Sequence, residues 1–254
     1  LVKPIHYFRS VELMREGLKQ EIAGLITNEN GAVATVNGWF QSAVTGIPVV
    51  DAPCNGRAHP TGSMGSMGLD RLKNYVSIQS FAGGGSSHPY VEGTVRSSLG
   101  VVSRLVRQAS ISAGGFVAVA RNPVEASYVK QHGAPGAIYQ AIEVGQTIVG
   151  NMATGGIRVA EACADLLSGD ILLVGEVERV NLDIDGGFDV GEVVVKDSEN
   201  SVRMTFWNEY MTADKQLRGR FLERVATFPD LIVTMDCESG MPLTTAEVEK
   251  GQRV

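Results

Sequence analysis

The sequence predicts an α/β protein in two parts, a sandwich-like α/β domain followed by a β-rich domain. Three observations predict it. From Lys3 to about Leu167, short apolar runs alternate with helical periodicity and Gly-rich loops, as layered strands and helices require. After Ser168-Gly169-Asp170 the runs become β-branched or alternating, with turn clusters between them. The length of 254 residues accommodates two ordinary domains, here bounded as 1–167 and 168–254.

In chain order, Gly24-Leu25-Ile26 reads as the end of a strand, and Ala32 to Val44 as a short helix. Ile47-Pro48-Val49-Val50 is a brief buried strand ending at Asp51. Tyr75 to Phe81 is a strand running into Gly83-Gly84-Gly85. Thr94 to Ile111 places Val95, Leu99, Val102, Leu105, Val106 and Ala109 near a helical period. Phe116 to Ala120 is a strand, and Pro123 suits the first position of a helix over Val124 to Gln131. Ala137 to Val149 and Arg158 to Leu167 are helical. Strands follow at Ile171 to Leu182, Gly191 to Lys196, Val202 to Trp207 and Leu231 to Met235. Asp185-Gly186-Gly187 and Asp197 to Asn200 form turns among them, and Thr244 to Glu247 a helical turn. The chain opens at Leu1 in mid-element and closes at Gly251-Gln252-Arg253-Val254, which reads as the start of a strand. A cut at one or both ends is therefore expected.

Composition narrows the function classes. Hydrophobic residues are 44% and charged residues 20% of the chain, a globular balance that needs no disulfide or structural metal at this length. The net charge of −6 carries no basic run, so nucleic acid is not an expected partner. No apolar stretch approaches the roughly 18–20 residues of a membrane helix. The three cysteines, Cys54, Cys163 and Cys237, are widely spaced and form no CxxC pair. Without a signal peptide at its start, the chain is expected in a reducing cytoplasm.

The densest chemical candidate is the loop Asp51-Ala52-Pro53-Cys54-Asn55-Gly56-Arg57-Ala58-His59-Pro60. It follows a strand, where open α/β sheets gather ligands. Asp51 suits a base, a metal ligand or an orienting group. Cys54 suits a thiolate nucleophile or soft ligand. Arg57 can fork onto a carboxylate or carbonyl, and His59 can move protons or bind metal. Against these stand plainer roles, a buried apolar Cys and an Asp that caps a turn. Cys-x4-His alone is no metal signature. A second candidate is Phe81 to Tyr90, whose Gly84 and Gly85 could offer N–H groups before a helix, with His88 as a second imidazole. No P-loop Lys accompanies it, so a nucleotide is not expected. A third is Thr27-Asn28-Glu29-Asn30-Gly31 with Asn37: Glu29 as base or ligand, and Asn28 and Asn37 as amide-binding groups, or else a polar turn and helix cap. Cys163 reads as core and Cys237 as a turn residue, while Trp207 to Tyr210 ends a strand.

These motifs resemble the S-methyl thiohydantoin desulfurase family, long catalogued as a domain of unknown function associated with hydantoinases and oxoprolinases. Gly46-Ile47-Pro48-Val49-Val50-Asp51, then Gly56-Arg57-Ala58 and Pro60, carry the likeness first. Gly115 to Val119, Gly136-Ala137, Ala141-x-Glu143-x-Gly145, Gly187-Phe188, Gly191 and Asn208-Glu209 continue it. Pro229 to Val233, Gly240-x-Pro242, Thr244-Thr245 and Gly251 to Val254 are its most specific stretch. The resemblance implies an α/β domain followed by a β-rich one, and a further Gly-rich turn before Leu1. In the family's commoner loop a second Asp stands at the position of Pro53 and a Glu at that of Thr61; this chain has Cys54 and His59 instead.

The implied activity is hydrolysis of a C–S or C–N bond in a small five-membered cyclic substrate, S-methyl thiohydantoin giving hydantoin and a thiol. Either Cys54 attacks, with His59 as acid and base and Asp51 orienting it, or Asp51, Cys54 and His59 hold Zn2+ and activate water. Arg57 would bind a ring oxygen or carboxylate. A non-catalytic alternative makes the chain a partner or regulatory subunit of a hydantoinase- or oxoprolinase-type protein. A homo-oligomer is the expected assembly.

Overall fold

The computed structural model describes residues 2–85 and 87–254, and Ser86 of the second candidate loop lies outside them. The chain folds as two compact units, Leu1–Ile138 and Tyr139–Val254. An α/β region comes first and a β-rich region second.

The first unit is built on a three-stranded antiparallel sheet in the order β2-β1-β3, with β1 at Ser77–Gly85, β2 at His88–Ser97 and β3 at Val117–Arg121. The central strand β1 is buried from Ser77 through Gly83 because each face carries a helix. Helix α1 (Pro4–Leu18) takes the face of Ser80 and Thr94, where the Thr94 hydroxyl donates to the Leu13 carbonyl at 3.3 Å. Helix α4 (Leu99–Ser112) takes the other face, packing Val102 and Val106 on Phe81, Val95, Val117 and Val119. Pro4 suits the first turn of α1, and Lys19 at φ 54° ends it. Two short helices, α2 (Ala32–Thr35) and α3 (Trp39–Thr45), replace the single helix expected over 32–44. Gly38, at φ 106°, breaks it.

Two other expectations shift. The helix expected from Thr94 begins later, at Leu99; Thr94 to Ser97 belong to β2. Val95 keeps its apolar contact in either periodicity, which is why the run reads as one helix. Helix α5 is Ala126–His132, so Pro123 precedes it by three residues and does not start it.

The division between units falls within α6 (Ala137–Asn151). Helix α7 (Gly156–Leu167) follows and buries Val159 and Cys163, the core role expected of that thiol. The expected boundary after 167 coincides with the end of α7, whereas the compact division is at 138. A five-stranded antiparallel meander then runs β4 (Glu176–Asp185), β5 (Phe188–Lys196), β6 (Asn200–Trp207), β7 (Glu209–Leu217) and β8 (Arg220–Thr227). Two-residue turns at Gly186-Gly187 and Arg218-Gly219, all at positive φ, match the twist of their strands. One face buries Val177, Val193, Val195, Val202, Met204 and Phe206. The opposite face is charged: Arg179 reaches Glu192 at 2.9 Å, and Arg224 reaches Asp214 at 2.7 Å. A two-residue hairpin, β9 (Thr234–Met235) with β10 (Pro242–Leu243), is all that forms of the strand expected over 231–235. Arg253 bridges antiparallel to Glu176, the pairing expected of a strand at the chain's close.

Candidate functional site

Two segments run side by side in the first unit and carry the best-supported site. Leu25 and Val49 form a parallel bridge. Beyond it the Cys54 N–H donates to the Thr27 carbonyl at 2.9 Å, and the Asn30 N–H to the Asn55 carbonyl at 3.0 Å. A Cβ on Gly31 would stand 2.8 Å from that of Ala58, so the loops touch only because residue 31 has no side chain. On its other side the 51–56 loop is tied to the start of α6. The Ala134 N–H donates to the Pro53 carbonyl at 2.8 Å, and the Gly136 N–H to the Asp51 carbonyl at 3.0 Å.

His59 lies at the centre and is 7% exposed. Its Nε2 stands 3.2 Å from Asn28 Nδ2, 3.4 Å from the Asn28 carbonyl and 3.4 Å from Glu29 Oε2. The Asn28 amide donates when Nε2 is bare; the two oxygens accept when it carries a proton. The surroundings of Nε2 thus serve it with or without its proton. The His59 N–H also donates to Glu29 Oε2 at 3.2 Å. His59 Nδ1 and Asn28 Oδ1 are buried with no hydrogen-bond partner among the described residues. Gly65 makes room for the ring: a Cβ there would fall 2.1 Å from Nε2.

Burial pushes the Cys54 thiol up to about 11, while the Arg121 guanidinium pulls it the other way. Burial likewise lowers the Arg121 pKa, against the opposing charges of Cys54 and Glu29. The Arg121 charge thus acts on Cys54 and Glu29, and Glu29 in turn pairs with His59. Arg121 ends β3 and is positioned by its neighbour Asn122. That residue sits at φ 51°, with its N–H donating to the Ile78 carbonyl at 2.8 Å. Its Oδ1 accepts from Ser77 at 2.7 Å.

The N-terminal domain of the family described as S-Me-THD-like matches residues 2–90, and the C-terminal domain of that family matches residues 97–254. The chain belongs to the S-Me-THD-like family. This agrees with the resemblance to S-methyl thiohydantoin desulfurases. No curated protein and no solved structure matches the chain.

In this S-Me-THD-like chain the expected site residues divide. Asn28, Glu29 and His59 come together, and the Cys54 N–H is bonded to Thr27 just before them. Asp51 Oδ1 accepts the Ile138 N–H at 2.8 Å, one of the N–H groups of the first turn of α6 that have no partner within the helix. Among the described residues no group of three or more His, Cys, Asp or Glu is disposed to hold a metal ion. Arg57 is 7% exposed, and its Nε donates to the Ala58 carbonyl at 3.2 Å, which builds it into its own loop. Asn37 accepts from Gln41 Nε2 at 2.9 Å beside α3.

Gly84 and Gly85 do not precede a helix. They close the β1–β2 hairpin at positive φ, and a Cβ on Gly84 would meet the Pro89 carbonyl oxygen at 2.0 Å. His88 pairs with Gly85, whereas Arg121 pairs with Gln79. Six residues of strand separate these positions, roughly 20 Å. Gly84, Gly85 and His88 thus lie at the far end of β1 from Arg121. Asn208, in the stretch that ends β6, accepts the Asp189 N–H at 2.9 Å and so serves the sheet.

Sequence reasoning missed Arg121 and Gly65. The signal for the first was present, a charged residue closing a strand just before Asn122-Pro123. Gly65 lies in a regular run, Gly62, Gly65 and Gly68, whose purpose only the position of His59 explains.

Proposed function

We propose that this chain removes the sulfur substituent from a small five-membered cyclic amidine, converting S-methyl thiohydantoin to hydantoin and methanethiol. Family membership supports the substrate class. The observation that supports the chemistry is the buried His59 imidazole, whose Nε2 lies among one donor and two acceptors, on the same loop as the Cys54 thiol.

His59 removes the Cys54 proton, and the thiolate adds to the ring carbon bearing sulfur. The carbon–sulfur bond to the substituent breaks, and methanethiol leaves with the proton returned by His59. Cys54 is now joined to the ring as a thioimidate. His59 then takes a proton from water as the water oxygen adds to the same carbon. The bond to Cys54 breaks, the ring carbonyl forms and the thiol is restored. One water is consumed, and no oxidant or reductant is needed. Because burial raises the thiol pKa to about 11, attack depends on a base beside it.

The test is methanethiol release from S-methyl thiohydantoin by the wild type, Cys54→Ala, Cys54→Ser and His59→Gln. The ring adduct on Cys54 is sought by mass spectrometry after rapid quench. Activity in the wild type, loss in Cys54→Ala and an adduct at Cys54 are expected. Full turnover by Cys54→Ala would sink the covalent route. Metal content of wild type and Cys54→Ser separates the zinc route, for which about one zinc per chain would be lost in the variant.

A further inference from the structure

Arg121 has no part in the proposed reaction. It is a guanidinium in a partly buried position, and among the described residues no hydrogen bond or ion pair reaches it. A guanidinium that makes no hydrogen bond where water is scarce leaves its N–H groups unsatisfied, which an arriving anion would relieve. Its placement is set by the fold. It terminates β3, Asn122 is fixed behind it, and its Nη1 would lie 3.3 Å from a Cβ on Gly62, in the loop that leads from His59 to Gly65. A second, independent observation concerns His59, three residues before Gly62. Among the described residues its Nδ1, and Asn28 Oδ1 across from it, are buried with no hydrogen-bond partner.

We infer that Arg121 is the anion-binding group of this site, and that the substrate presents a negative charge beside the carbon that Cys54 attacks. The charge is either a carboxylate on a ring substituent or the ionised ring imide. Both accept two N–H groups of a guanidinium in the same way. The inference rests on placing the site at Cys54 but needs no turnover. Its failure and that of the proposed reaction can therefore be read apart.

The test compares alkylation of Cys54 by iodoacetate, an anion, and by iodoacetamide, its neutral counterpart, followed on the Cys54 peptide by mass spectrometry. Both reagents consume the same thiolate, so their rate ratio cancels any change in Cys54 ionisation. Free glutathione supplies the reference ratio. The wild-type ratio is expected to exceed the reference roughly tenfold or more, the size of local anion enrichment by a focused positive charge. Arg121→Gln should bring it back to the reference, and Arg121→Lys should keep part of the excess. A wild-type ratio equal to the reference overturns the inference without any variant, as does failure of both reagents to reach Cys54. Protection of Cys54 by hydantoin-5-acetic acid but not by its amide would assign the charge to a substituent. Protection by hydantoin only above the ionisation of its imide would assign it to the ring. Equal protection by the acid, the amide and un-ionised hydantoin would overturn it.

Discussion

Single residues decide whether this site can work, and the most telling of them has no side chain. His59 occupies space that any residue but glycine at position 65 would claim, with the hypothetical Cβ 2.1 Å from Nε2. A methyl group there forces the ring out of reach of Asn28 and Glu29. Gly65→Ala is therefore expected to lower methanethiol release at least as much as His59→Gln, and to cost about 1–3 kcal/mol of stability from overpacking. Thermal melts together with initial rates check this, and an active variant with an unchanged melt would contradict the placement of His59. Asp51 gives the converse lesson. A carboxylate after a strand suggests chemistry or a metal, yet here it answers a helix N–H that would otherwise be unpaired.

At the scale of elements, strands and helices are held by contacts that sequence periodicity partly reveals. The β7–β8 hairpin shows what it cannot. Asp214 is 3% exposed, and both its oxygens are held by Arg224, at 2.7 and 3.0 Å. The hydrogen bonds from Arg224 keep its carboxyl below the usual carboxylate range. A depressed folded value means the pair stabilises the fold above the unfolded carboxylate range, near pH 3.9, and loses that contribution as pH falls through the folded value. Arg224→Ala should lower stability at pH 7, because the Asp214 carboxylate loses both of its hydrogen bonds from the guanidinium. The difference from wild type should narrow below about pH 3.9. Urea unfolding at pH 7 and pH 3 measures both, and an equal difference at the two pH values would remove Arg224 as the cause. Neither β7 nor β8 is evident from apolar runs, because their exposed positions carry charge and their turns are short. The same holds for α1, whose apolar stripe of Val11, Leu13 and Met14 is narrow and interrupted by Arg9, Glu12 and Glu16.

For the whole molecule, the candidate site lies in the first unit, and the largest apolar cluster in the second. Among the described residues no helix is long and apolar enough to cross a membrane. Met204 is 5% exposed in the sheet core of the second unit. Met204→Ala should lower stability by about 2–5 kcal/mol through the cavity it leaves. Where the protein remains folded, the iodoacetate-to-iodoacetamide ratio at Cys54 should be unchanged. A shift in that ratio would show that the second unit helps to set the site.

The sequence by itself determined the family, the order of an α/β region and a β-rich one, and the loop on which the chemistry is proposed. These follow from local information, namely periodicity, turn residues and motif spacing, which persist in one dimension. It also supplied Asn28, Glu29, Cys54 and His59, because reactive residues beside glycines and prolines stand out along the chain. The tertiary structure alone decided which of the candidates meet. It sent Asp51 to a helix terminus, folded Arg57 into its own loop and moved Gly84, Gly85 and His88 to the far end of a strand. It brought in Arg121 from more than sixty positions beyond Cys54. The reason is physical. A side chain's role is fixed by its partners in space, and strand register, which sets those partners, depends on packing against residues distant in sequence.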